Sequence, residues 1–131
     1  MSKIVQIKIF NDLLTQFLDY LETNFVYFKS DIILSRSTIE FIHKSNPRLV
    51  VEQYMNYVEP YRKYISDCNE DFFLNFDNLN LNKIGLTQDD MVLISKIRNI
   101  WLSPDITDNQ KAYIWLYLQK LIRAGEKVIF N

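Results

Sequence analysis

Apolar residues recur at intervals of three and four along most of this chain, the pattern of helices that bury one face. The broadest such face lies in residues 46–74, NPRLVVEQYMNYVEPYRKYISDCNEDFFL. Laid out at about 100° per residue, Val50, Tyr54, Tyr57, Tyr61 and Tyr64 form one stripe, and Val51, Met55, Val58 and Ile65 form the stripe beside it. Together they take about half the circumference, more than an ordinary surface helix buries. Glu52, Gln53, Asn56, Glu59 and Lys63 share the remaining arc. The pattern predicts a central helix touched on more than one side. Asn46 suits the N-cap and Pro47 the first helical position. Pro60 lacks a backbone donor and crowds the preceding turn, so a kink is predicted there.

Before this stretch, Leu14, Phe17, Leu18, Leu21 and Phe25 give a helical face from Asn11 onward, with Asp12, Gln16, Asp19 and Glu22 opposite. Residues 3–9, KIVQIKI, fit a short strand or the opening turns of that helix equally well. NFVYFKS interrupts the period, and a second helix follows with Ser30 or Asp31 as cap and Ile32, Ile39 and Ile42 on one face. It ends before Asn46-Pro47. After the central helix, residues 66–85 have no helical period and read as an irregular connection pinned by Phe72, Phe73 and Phe76. Thr87, with Asp90 three residues on, opens a fourth helix carrying Met91, Ile94, Ile97 and Trp101. Ser103-Pro104-Asp105 turns the chain, and Thr107 with Gln110 repeats the capping pattern. The fifth helix is expected to run to Ala124, with Ile114, Trp115, Leu118, Leu121 and Ile122 inward and Gly125 as its stop. The tail KVIF fits a strand paired with residues 3–9. The expectation is all-α: a single domain over residues 1–131 of about five helices with a kinked central helix, short terminal strands remaining open.

Composition narrows the chemistry. With 131 residues, 48% apolar, including 9 Phe, 8 Tyr and 2 Trp, the chain can bury a core of its own. At a net charge of −1, disorder is not expected. No run reaches the roughly 18 apolar residues of a membrane span. The start MSKIVQIKIF is interrupted at Gln6 and Lys8 and does not read as a signal peptide. Cys68 is the one cysteine, which excludes an internal disulfide and fits a reducing compartment. Gly85 and Gly125 are the only glycines, too few for a phosphate-cradling loop or a dinucleotide fingerprint. One histidine and one cysteine cannot close a zinc site. No catalytic, cofactor-binding or metal-binding residue is therefore assigned, and the protein reads as a non-enzyme without a cofactor. His43 reads as a helix C-terminal histidine and Cys68 as a filler residue. Asp67, Glu70, Asp71 and Asp77 lack the spacing of a calcium loop and read as a solvated turn.

Four tyrosines on one stripe are more phenol than a small core uses, because each buried hydroxyl wants a hydrogen-bond partner. Part of the stripe is expected to surface near Pro60, which makes Tyr57, Tyr61, Arg62 and Lys63 the candidate interaction surface. A protein partner is the first expectation. Nucleic acid is the alternative, weakened by a near-neutral net charge that lacks a basic footprint.

In NPRLVVEQYMNYVEPYRKYISDCNEDFFL and IRNIWLSPDITDNQKAYIWLYLQKLIRAGEKV the chain resembles small, functionally unassigned helical proteins of nucleocytoplasmic large DNA viruses, the giant viruses of amoebae and algae. The resemblance extends to FNDLLTQFLDYLE and covers most of the chain. A bias toward Phe, Tyr, Ile, Asn and Lys over Gly, Ala, Arg and Pro implies AT-rich coding DNA, which agrees with many such genomes. The family carries over no catalytic residues. It implies a virus-encoded protein working in the host cytoplasm (the viral factory) or packaged in the virion. The first expectation is then a module acting on a viral or host protein, and the alternative a nucleic-acid accessory of the viral factory or genome core.

Overall fold

The computed structural model describes residues 2–74 and 98–130. The fold is all-α, with no strand among the described residues. Helix α1 spans Lys3–Asn24, so residues 3–9 are its opening turns, the helical one of the two readings. Ser2 decides this locally: its hydroxyl accepts the Val5 amide at 3.3 Å and caps the helix. The tail that fitted a strand is likewise the last turn of a helix. Phe10, Leu14, Phe17 and Leu18 are buried along α1.

A 3-10 turn at Val26–Phe28 takes up the break read in NFVYFKS. Helix α2, Lys29–Ser45, begins just before the expected caps, with Phe28 in the cap position and Asp31 in its first turn. Ile32 is the one buried residue of α2. Its packing on α1 is fixed by Arg36, whose Nη2 reaches Asp19 at 2.8 Å and Glu22 at 3.0 Å.

Helix α3, Pro47–Val58, starts as the sequence predicts. The Asn46 side-chain oxygen accepts the Arg48 amide at 3.1 Å. The chain then tightens into a 3-10 turn at Glu59–Tyr61, with Pro60 inside it, before the short helix α4, Arg62–Ser66. Two bonds close α4, Asn69 N–H to Tyr64 O at 2.8 Å and Cys68 N–H to Ile65 O at 3.1 Å. This is a Schellman stop, and it sets Cys68 at φ 50°, where glycine is usual. The connection read as irregular contains helix α5, Glu70–Leu74. The side chains of Phe72 and Phe73, Phe76 and the fourth helix from Thr87 lie outside the described residues, although 98–101 form a helical turn.

Helix α6, Asp108–Ile129, opens on the expected capping box: Gln110 N–H donates to the Thr107 hydroxyl at 3.1 Å and Thr107 N–H to the Gln110 side-chain oxygen at 3.0 Å. It does not stop at Gly125. The helix continues to Ile129, and Gly125 lies against Met55, where the missing side chain serves close packing and not a left-handed cap.

The chain divides into two compact units, residues 1–57 with 117–131 and residues 58–116. In the first, α1, α3 and α6 bury Phe10, Val51, Leu121 and Val128 almost completely. Phe17 stacks on Tyr117 at 5.5 Å, and the Tyr117 hydroxyl donates to Gln16 at 3.1 Å. Lys3 donates to the carbonyl of Val128. In the second, Tyr61, Ile65, Trp101 and Ile114 are buried. Trp101 meets Trp115 edge-on at 5.3 Å, and Lys111 lies 5.5 Å above the Trp101 ring. Among the described residues, no helix is long and apolar enough to cross a membrane.

Candidate functional site

The tyrosine stripe of the central stretch is mostly inward. Tyr54 lies edge-on to Phe10 at 5.3 Å and its hydroxyl donates to the Leu118 carbonyl at 3.4 Å. Burial pushes its phenol well above the ordinary tyrosine range, because a phenolate there would be poorly solvated. Tyr57 is 42% exposed and belongs to the first unit. Tyr61, in the second, is only 4% exposed.

The expectation that Tyr61 reaches the surface is therefore corrected. The reason is the 3-10 turn: at about 120° per residue, it rotates the chain further than the α-helical step would. Tyr61 therefore departs from a stripe drawn at 100° steps and is buried, as is Ile65 in the same unit. The other two members of the candidate set differ from it. Arg62 is half-buried, 3.5 Å from Glu59, and Lys63 is exposed.

His43 is exposed near the end of α2, at the edge of a hollow of about 500 Å3. Asp12, Lys8 and Arg48 line the same hollow, but among the described residues no serine, threonine or cysteine does. Cys68 is exposed in the stop of α4. Of the acidic cluster, Glu70 stands 3.8 Å from Lys111, while Asp77 lies outside the described residues. Among the described residues, no three His, Cys, Asp or Glu side chains gather as a metal site would require.

Two surfaces emerge that the sequence reading did not single out. On α2, Leu34 is 68% and Phe41 74% exposed, opposite the inward Ile32, Ile39 and Ile42. Seven residues apart, they lie on one line about two turns long. The signal was present as two apolar residues outside the predicted face. On α6, Lys120, Arg123 and Lys127 border a groove of about 700 Å3 with Gln6, Ile9 and Leu13 of α1. That pairing of two distant segments could not be read from either one alone. No protein-family model, curated protein or solved structure matches the chain.

Proposed function

We propose that this protein is a non-enzymatic, virus-encoded interaction module that binds a viral or host protein, in the host cytoplasm or the virion. The observation that carries the reading is the outward line of Leu34 and Phe41 on α2. Large apolar side chains set on one helical line are what a helix presents to the apolar groove of a partner. The packed face of α2 holds Ile32 and the Arg36 pairs, so the outward line is available without disturbing the contact with α1. Tyr57, exposed on α3, adds an aromatic side chain of the kind that contributes strongly to interfaces. The viral assignment draws on the sequence resemblance.

A nucleic-acid accessory role is the second reading, favoured by the row of Lys120, Arg123 and Lys127 on α6. Affinity purification from infected cells, with and without nuclease, separates the two. The first reading expects a protein recovered equally in both arms and lost with Leu34→Glu/Phe41→Glu. Recovery abolished by nuclease would support the second instead.

A further inference from the structure

The groove between α1 and α6 combines an apolar floor with charge of one sign. Ile9 and Leu13, one turn apart on α1, face the small side chain of Ala124 on α6. Lys120, Arg123 and Lys127 are all exposed and fall within one 60° arc of α6, spaced over about 10 Å. Among the described residues, none that lines the groove is acidic and none of the three cations forms an ion pair. Lys120 does lie 5.5 Å above the Tyr117 ring, which holds its stem along the helix. The chain as a whole carries a net charge of −1, so this is a local concentration of positive charge and not a general one.

We propose that this groove binds an acidic, amphipathic segment of a partner protein, with its apolar side chains on Ile9, Leu13 and Ala124 and its carboxylates along Lys120, Arg123 and Lys127. Three cations in a row fit a repeatedly charged chain better than a single carboxylate. A single nucleic-acid strand fits less well, because such strands are held by aromatic rings on which bases stack. Among the described residues no ring lines the groove, and the nearby Tyr117 is buried against Phe17. The inference goes beyond the α2 surface and uses different residues.

The test is fluorescence anisotropy on the full chain with four labelled probes. They are a panel of short Glu/Leu peptides of helical or alternating spacing, their Lys/Leu counterparts, polyglutamate and oligo-dT. At least one Glu/Leu peptide should bind, more tightly than polyglutamate, and weaken with added salt. Lys120→Glu/Arg123→Glu/Lys127→Glu should lower its affinity about tenfold or more, and Ile9→Gln should lower it with charge unchanged. All four positions are exposed, so the melts should stay near wild type. A Leu34→Glu/Phe41→Glu variant should still bind the peptide, which separates failure of this groove from failure of the α2 surface. Tighter binding of oligo-dT, equal binding by the charge-reversed variant, or no binding by any Glu/Leu peptide would overturn the proposal.

Discussion

Gly125 on α6 lies so close to Met55 on α3 that a Cβ there would stand 2.9 Å from Met55 Cγ, with the sulfur nearer still. Two effects compete in Gly125→Ala. Helix propensity favours alanine by about 1 kcal/mol, while overpacking a tight core costs about 1–3 kcal/mol. Met55 is buried and has little room to retreat, so overpacking should win by about 1 kcal/mol. Urea denaturation should show the loss, and Met55→Ala should be less damaging beside Gly125→Ala than alone. A stabilised Gly125→Ala protein would mean that α3 and α6 are further apart there.

Tyr61 is the second case. Truncation of a buried aromatic costs about 3–5 kcal/mol, so Tyr61→Ala should melt far below the wild type. Lys63→Ala, exposed two residues on, should change stability by no more than about 0.5 kcal/mol. Similar small losses in both would return Tyr61 to the surface.

These two residues also mark how far the chain could be read in advance. The Asn46-Pro47 start and the Thr107–Gln110 box were legible because a cap is made by neighbours in sequence. The helical faces were legible for the same reason. Gly125 looked like a stop because glycine often ends helices; that it instead makes room for Met55, seventy residues earlier, could not be read locally. Tyr61 was misplaced because 100° steps were carried through Pro60 into a stretch that turns faster. The two exposed surfaces were harder still: one depends on which side of α2 packs on α1, and the other on α1 and α6 lying together.

Cys68 occupies a left-handed position that glycine adopts without steric strain. Cys68→Gly should therefore stabilise the protein, by about 1 kcal/mol from the relieved strain. Cys68→Val should destabilise it, since a β-branched residue is worse in that region. Equilibrium denaturation of the three proteins checks the order Gly, Cys, Val; no difference among them would show that the stop of α4 is not formed.

Tyr54 predicts a response to alkali. Its folded phenol titrates above the ordinary value of 10.0, because burial disfavours the charged form. The unfolded chain therefore releases this proton first as pH rises. Stability from this group is full below about pH 10 and is lost progressively above it. Tyr54→Phe should remove that part of the alkaline loss, and near neutral pH it should cost only about 0.5–1.5 kcal/mol for the bond to Leu118. Thermal melts across the alkaline range, with phenolate absorbance followed alongside, test both parts. A wild type and a variant that lose stability in parallel would place Tyr54 in solvent.

The most direct measurement of the proposed function is a calorimetric titration of the protein recovered from infected cells onto wild type and Leu34→Glu/Phe41→Glu. Both side chains are outward on α2, so the variant should melt close to the wild type. Losing two buried apolar contacts should weaken binding by about 100-fold or more. Unchanged affinity in a folded variant would contradict the assignment of α2 as the binding face.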